Sequence, residues 1–182
     1  INHYNQQIKA YGPTIDALQW YSIFTQQERY KIICEQINEE DISLLDVGCG
    51  CGDLYDYIKR NNFNFEYTGI DISANMIVSA QKAYPKGNFK CLNLKNSCVN
   101  NSFDYIVGSG IFNLKLKNHF KLIIKEIKTM LNYSKKKVII NFLSHKVAKW
   151  SKSNIFVYTN PNDIISELDG YSCKLVDKYL PN

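Results

Sequence analysis

Four residues at alternating positions, Asp46, Gly48, Gly50 and Gly52, form the motif with the clearest chemistry in this sequence. They lie between a short apolar run and residues 54–60, whose apolar positions have helical spacing, so the pattern predicts a strand, a tight turn and a helix. Glycine lets backbone approach a ligand closely, and the start of a helix presents free N–H groups. The spacing differs from the dinucleotide fingerprint G-x-G-x-x-G, and a carboxylate would repel a pyrophosphate. The motif therefore predicts a nucleotide-type binding loop that favours a cationic ligand.

A second acidic residue, Asp71, ends the next predicted strand, which begins at Phe65. A carboxylate at the end of such a strand can accept hydrogen bonds from both ribose hydroxyls of an adenosine. The alternative is that Asp71 only caps the helix predicted from Asn75 to Ala83. Both interpretations are compatible with the residue type and its position.

The two motifs together resemble those of the class I methyltransferases that depend on S-adenosylmethionine (SAM). The resemblance implies that SAM lies along the carboxyl ends of the first four strands and leaves as S-adenosylhomocysteine (SAH). It implies that the Gly48–Gly52 loop approaches the methionine part, Asp46 lies near the ammonium group and Asp71 binds the ribose. The cofactor contacts expected from it are Asp46, Gly48, Cys49, Gly50, Gly52, Asp71, Ile72, Met76, Asn93, Leu94 and Ser109. Met76 and Asn93 are expected to frame the adenine, with Asn93 replacing the acid that is usual in the family.

The loop after the fourth predicted strand is expected to lie beside the methyl acceptor. Ser109 and Gly110 are small enough to leave room for an acceptor, and Phe112 and Asn113 are expected to line it. This Ser-Gly-x-Phe-Asn segment resembles small bacterial methyltransferases found with cell-surface polysaccharide genes, among which capsule phosphoramidate methyltransferases are the nearest likeness. It does not resemble the Asn/Asp-Pro-Pro-Tyr/Phe segment of enzymes that methylate amino groups. The expected acceptor is therefore an oxygen of a sugar, a nucleotide-activated sugar or a phosphorylated precursor of capsule or lipopolysaccharide.

Residues 1–43 precede the predicted sheet and resemble the N-terminal helical cap of the same small methyltransferases. The resemblance implies that this cap covers the cofactor and contributes to the acceptor pocket, to which we assign Tyr4, Tyr11 and Arg29. Trp20 is expected to pack against the sheet. A helix is predicted from Gln26 to Ile37, with its apolar residues on one face.

His145 follows the fifth predicted strand, at the edge where open parallel sheets bind ligands. It is the candidate catalytic residue, as a general base or an acceptor contact, and the alternative is an exposed loop histidine. Methyl transfer to a hydroxyl can depend largely on placing the nucleophile in line with the methyl group, so a base is optional. His119 is expected to be structural.

The alternation of strands and helices predicts an α/β fold, namely a Rossmann-like, doubly wound and mostly parallel sheet. One domain is expected over residues 1–182, with the cap at 1–43 and the core at 44–182. A sixth strand is predicted from Lys174 to Tyr179. The seventh, antiparallel strand of the class I methyltransferases is missing, which suggests a chain truncated at its C-terminal end.

The composition is that of an ordinary globular protein, with 182 residues, 45% hydrophobic and 21% charged. No apolar run or leader suggests a membrane or secretion, so a cytoplasmic protein is expected. The six cysteines are not arranged as paired CxxC units, which predicts free thiols and no metal site. The net charge of +5 is spread along the chain, so a small-molecule acceptor is favoured over nucleic acid. An RNA methyltransferase and a non-catalytic SAM-binding domain remain alternatives, and the oligomeric state is not predicted.

Overall fold

The computed structural model describes residues 6–7, 10–12, 22–95, 102–148 and 152–177. Its centre is a five-stranded parallel sheet in the order β3-β2-β1-β4-β5. The strands are β1 (Ile42–Val47), β2 (Phe65–Asp71), β3 (Asn88–Cys91), β4 (Phe103–Ser109) and β5 (Ser134–Asn141). The strand order reverses between β1 and β4, and open α/β sheets bind ligands at the carboxyl ends of the strands at such a switch point. The predicted Rossmann-like, doubly wound sheet is confirmed.

Five helices surround this sheet in the described part of the chain. They are α1 (Ile23–Glu35), α2 (Asp53–Arg60), α3 (Ala74–Ala83), α4 (His119–Tyr133) and α5 (Pro161–Ile165). Ser22 caps α1 through the backbone N–H of Thr25, and Ser73 caps α3 through that of Met76. Such caps satisfy backbone donors that have no partner within the helix, and they fix where each helix begins. No helix in the described ranges is long and apolar enough to cross a bilayer.

Apolar side chains cover both faces of the sheet. On one face, Ile33 and Cys34 of α1 and Ile58 of α2 belong to the same buried cluster as Leu44 and Val107 of the strands. On the other face, Met130 of α4 packs with residues from β1, β2 and β4, and a further cluster joins α4 to α5. The two layers fix the strand ends in place, and so fix the loops that follow them.

Two sequence predictions about the elements need correction. The sixth strand predicted from Lys174 to Tyr179 is wrong over its described residues, because 174–177 have no regular structure and Lys174 Nζ donates to Gln36 Oε1 at 3.0 Å. The third strand, which the sequence predicts from Asn88 to Leu94, ends at Cys91. The helix α1, predicted from Gln26 to Ile37, packs its apolar face on the sheet, and the predicted cap stays a prediction because Tyr4 and Trp20 lie outside the described residues.

Candidate functional site

The loop between β1 and α2 has a backbone that only glycine adopts easily. Gly48, Gly50 and Gly52 have φ angles of 73°, 55° and 90°, all in the left-handed region that side chains disfavour. Gly48 also has no room for a side chain, because a Cβ there would clash with the side chain of Ile111. The alternating glycines therefore produce a tight turn that lies against the exit loop of β4.

Hydrogen bonds attach this glycine loop to the end of β2. The backbone N–H groups of Gly48 and Cys49 both donate to the Ile70 carbonyl, at 2.8 and 3.0 Å. The Gly50 N–H donates to Oδ2 of Asp71 at 3.1 Å. The loop and the Asp71 carboxylate thus form one rigid unit at the carboxyl edge of the sheet.

Asp71 does not cap α3, because that role belongs to Ser73. Its Oδ1 accepts the Ser73 N–H at 2.8 Å, so each carboxylate oxygen accepts one backbone N–H. Burial raises the pKa of Asp71, and the Ser73 and Gly50 N–H groups lower it. The residue is only partly buried, and a carboxylate offers about four acceptor positions. The Ile72 N–H also bonds to Asp71, and the carboxylate keeps acceptor capacity for a ligand.

Asp46 lies deeper than Asp71. Only 2% of its surface is exposed, and its Oδ2 accepts the hydroxyl proton of Tyr67 at 2.7 Å. Burial raises the pKa of Asp46 to about 7; the Tyr67 hydrogen bond lowers it, and the charges of Asp71 and Asp53 raise it further. The Asp46 carboxyl therefore titrates near neutral pH.

A third carboxylate, Asp53, begins α2 directly after the loop. Its Oδ2 accepts from Nε2 of Gln26 at 3.4 Å, and burial raises its pKa. The charges of Asp71 and Asp53 raise the pKa of Asp46, so the three carboxylates interact across the loop. Such a cluster disfavours phosphate groups and favours a ligand with positive charge.

The residues expected near an adenine have different degrees of exposure. Ile72 is 48% exposed beside Asp71, whereas Met76 is 2% and Leu94 is 3% exposed. The Met76 sulfur lies 3.5 Å from the thiol of Cys51, and Oδ1 of Asn93 accepts the Lys95 N–H at 3.0 Å. Of these three apolar side chains, only that of Ile72 is exposed to solvent.

An asparagine connects the carboxyl ends of β4 and β5. Asn141 pairs with Ser109 in the strand register, and its Oδ1 accepts the Gly110 N–H at 2.8 Å while its Nδ2 lies 2.9 Å from Oγ of Ser109. Gly110 has a φ of 75°, so the chain turns sharply after β4. The side chain of Asn141 fixes the start of that turn.

The next two residues of this loop have separate environments. Phe112 is 5% exposed and stacks on Phe142 with ring centroids 5.8 Å apart, so it belongs to the core between α4 and α5. The Asn113 backbone is fixed by its carbonyl, which accepts the Val157 N–H at 2.8 Å. Oδ1 of Asn113 is buried and has no hydrogen-bond partner among the described residues. Packing explains Phe112, whereas Asn113 has an acceptor atom available.

His145 is partly buried beside residues 152–160, which run past the ends of β4 and β5. Its Nδ1 lies 3.3 Å from the Thr159 carbonyl, and Nζ of Lys152 donates to the His145 carbonyl at 2.8 Å. Because a carbonyl oxygen can only accept, Nδ1 carries the proton in this arrangement. In the neutral ring, Nε2 is then the nitrogen with a free lone pair.

Comparison with known proteins identifies the fold. Residues 45–133, which run from β1 to the end of α4, match the family model described as a methyltransferase domain. The magnesium protoporphyrin IX methyltransferase ChlM from Synechocystis PCC 6803, solved with bound SAM, superposes with a TM-score of 0.60 at 17% identity, covering 79% of this chain and 66% of that one. The chain has the fold of the class I methyltransferases.

Two further similarities point to the same group. A SAM-dependent methyltransferase from Clostridium acetobutylicum ATCC 824 has a TM-score of 0.59 at 22% identity, covering 86% of this chain and 65% of that one. Rv1506c of Mycobacterium tuberculosis (strain ATCC 25618 / H37Rv), a provisionally named methyltransferase, is 37% identical over 86 residues, which are 45% of this chain. That alignment spans 49% of Rv1506c, so the chain covers about half of this relative. These similarities agree with the fold of the class I methyltransferases.

Within this methyltransferase fold, the residues assigned to the acceptor pocket from the N-terminal segment are Tyr4, Tyr11 and Arg29. Tyr11 is 57% exposed, and Nη1 of Arg29 donates to the Thr25 carbonyl within α1 at 2.9 Å. Tyr4 lies outside the described residues. Their assignment remains a prediction.

Two residues of the candidate site were not found from the sequence. Tyr67 holds the Asp46 carboxylate, and Asn141 holds the turn after β4. Both follow from strand register, since Tyr67 pairs with Leu44 in β1 and Asn141 pairs with Ser109 in β4. A sequence gives the polar residue at a strand end but not the residue opposite it.

Proposed function

We propose that this chain binds SAM at the carboxyl ends of β1, β2 and β4 and transfers its methyl group to an oxygen of a small polar acceptor. The likeness to methyltransferases crystallised with SAM supports the cofactor. Bound there, SAM would supply a methyl group that leaves its sulfur for the acceptor oxygen in a single displacement.

The observation that carries this proposal is the position of Asp71. Its two oxygens are fixed by the N–H groups of Gly50 and Ser73, and the carboxylate retains acceptor capacity for a ligand. Two acceptors at this spacing suit the two neighbouring hydroxyls of a ribose. The exposed side chain of Ile72 follows directly and offers an apolar surface for the adenine.

The charge of the site supports SAM over a phosphate-containing cofactor. Asp46, Asp53 and Asp71 surround the glycine loop, and their charges act on one another. SAM carries a positive sulfur and an ammonium group and contains no phosphate, so these carboxylates would attract it. A dinucleotide would instead place a pyrophosphate against them.

Asn113 supports an acceptor that carries a hydrogen-bond donor, such as a hydroxyl. Its buried Oδ1 has no partner among the described residues, and a buried acceptor left unpaired costs about 1–3 kcal/mol. A hydroxyl or amide donor of a bound acceptor would remove this cost. Sugars, nucleotide-activated sugars and phosphoryl or phosphoramidate precursors of capsule or lipopolysaccharide fit this requirement. The resemblance of residues 109–113 to polysaccharide-associated methyltransferases favours them, and with them a cytoplasmic site of action.

His145 is the proposed proton acceptor. Its Nδ1 proton is directed to the Thr159 carbonyl, which leaves the Nε2 lone pair for the proton that the acceptor hydroxyl loses. From Nε2 the proton can pass to solvent. A positioned base of this kind contributes about 10²- to 10⁴-fold to a reaction rate.

Calorimetric titration with SAM, SAH and NADH tests the cofactor. We expect both sulfur nucleotides to bind with micromolar affinity and NADH not to bind. Binding of NADH alone, or of none of the three, would contradict the proposal.

A screen with methyl-labelled SAM tests the acceptor. The panel contains free sugars, nucleotide sugars, a phosphoramidate and RNA, and we expect label in one of the hydroxyl compounds. Label in RNA, together with salt-dependent RNA binding, would favour an RNA methyltransferase. SAM binding without transfer to any acceptor would favour a non-catalytic binding domain.

A further inference from the structure

The orientation of the Asn141 side-chain amide is determined by its neighbours. The Gly110 backbone N–H can only donate a hydrogen bond, so the atom 2.8 Å from it must be the Asn141 oxygen. The other end of the amide, Nδ2, therefore faces Oγ of Ser109 at 2.9 Å. Since an amide nitrogen can only donate, the Ser109 hydroxyl is the acceptor in this contact.

This arrangement determines what the Ser109 hydroxyl can do. Its oxygen accepts from Asn141, so its proton points elsewhere, and no described residue accepts that proton. Ser109 is only partly buried, so the proton remains accessible. Asn141 thus converts a hydroxyl that could serve as donor or acceptor into a directed donor.

The position of Ser109 indicates which ligand receives this hydrogen bond. Asp46 of β1 pairs with Val107 of β4, and carrying that register two residues further brings Ser109 level with Gly48. The loop after Ser109 stays there, because the side chain of Ile111 fills the space above Gly48. Ser109 therefore lies beside the glycine loop rather than toward the α4 end of the site.

We infer that Asn141 is a positioning residue that holds the Ser109 hydroxyl as a hydrogen-bond donor toward the cofactor at the glycine loop. This inference rests on the proposed function, since it takes SAM and SAH as the ligands of that loop. It extends the binding site to β5, which the sequence motifs of the loop do not include.

Three variants test the inference by calorimetry with SAH, whose uncharged sulfur avoids direct attraction to a new carboxylate. Ser109→Ala removes the donor. Asn141→Asp keeps an oxygen for the Gly110 N–H, but its second oxygen can only accept, so the Ser109 proton would turn toward it. Either change should weaken SAH binding about tenfold, the equivalent of one hydrogen bond. The double variant should bind SAH no more weakly than either single variant, because both remove the same hydrogen bond.

Two controls separate positioning from general damage. Asn88→Asp makes the same change in a second amide-to-hydroxyl pair, in which Nδ2 of Asn88 donates to Oγ1 of Thr68 at 2.9 Å, and it should leave SAH affinity unchanged. Ser109→Thr retains the hydroxyl and should bind SAH within about twofold of the original chain. The comparison of Ser109→Thr with Ser109→Ala tests whether the Ser109 hydroxyl binds SAH, even if Asn141→Asp does not fold.

The outcomes distinguish this inference from the proposed function. Failure of the unaltered chain to bind SAH would overturn the proposed function itself. SAH binding by the unaltered chain together with full affinity in Ser109→Ala, or additive losses in the double variant, would overturn only the role given to Ser109 and Asn141.

Discussion

The buried carboxyl of Asp46 should make the folded protein less stable as pH rises toward and through neutrality. Burial raises its pKa from an ordinary value of 3.8 to about 7, against the hydrogen bond from Tyr67. In the unfolded chain the same group loses its proton near pH 4, as about 3.9 is usual for aspartate. Between these values the folded state binds more protons than the unfolded state. The stability that the raised pKa of Asp46 contributes to the folded state is therefore fully present below about pH 4 and is lost as pH rises through about 7.

The size of the effect follows from the same values. Each pH step of one is worth about 1.4 kcal/mol, so the interval from about pH 4 to about pH 7 gives an upper limit of about 4 kcal/mol. Asp46→Asn removes the titration, while the amide oxygen can still accept the hydroxyl proton of Tyr67. Asp53 and Asp71 are present in both proteins, so the difference between the two isolates Asp46.

Urea unfolding at intervals between about pH 4.5 and pH 8 is the assay. We expect the free energy of unfolding of the original chain to fall with pH relative to that of Asp46→Asn, with most of the loss complete by about pH 8. Tyr67→Phe removes the hydrogen bond that lowers the Asp46 pKa, so the decline should move to higher pH. A difference between the original chain and Asp46→Asn that stays constant with pH would refute the reasoning.

Three other predictions concern the loop, the acceptor and the base. Gly48→Ala should destabilise the fold by about 2–4 kcal/mol in urea unfolding, through its positive φ and its clash with Ile111. Gly170→Ala, at φ 85° with open space around it, should cost only about 1–2 kcal/mol; equal losses would refute the clash. Asn113→Leu should raise KM for the hydroxyl acceptor about tenfold without changing SAH affinity; an unchanged KM would count against acceptor binding there. His145→Ala should lower kcat about 100-fold in the labelled-methyl assay with SAH affinity retained, whereas full activity would show that no base is needed at this position.

The backbone geometry of the glycine loop could be predicted from the sequence. The alternating glycines Gly48, Gly50 and Gly52 predict positive φ angles, because few other residues adopt such angles, and the structure has them. Asp71 was placed at the end of β2 because an apolar run ends there. Local pattern also predicted the order of the strands and helices, since each βα unit carries its own periodicity.

The elements that depend on distant partners were not predictable in the same way. The alternating pattern of residues 174–179 resembles a strand, but a strand requires a neighbour to pair with, and Lys174 instead contacts Gln36, the residue directly after α1. The pairing of Asn141 with Ser109 requires the register between β4 and β5, which no local pattern contains. The buried carboxylate of Asp46 accepts its hydrogen bond from Tyr67, which lies 21 residues away in the chain.

Calorimetric titration of SAH into Asp71→Ala and Asp104→Asn tests the central claim most directly. Asp104 is a control, because it also accepts a backbone N–H, from Ser43 at 2.9 Å, but at the opposite edge of the sheet. The account predicts that Asp71→Ala lowers SAH affinity at least about 100-fold, since two hydrogen bonds to a carboxylate are lost, and that Asp104→Asn leaves it unchanged. Equal SAH affinity in Asp71→Ala and the original chain would contradict it.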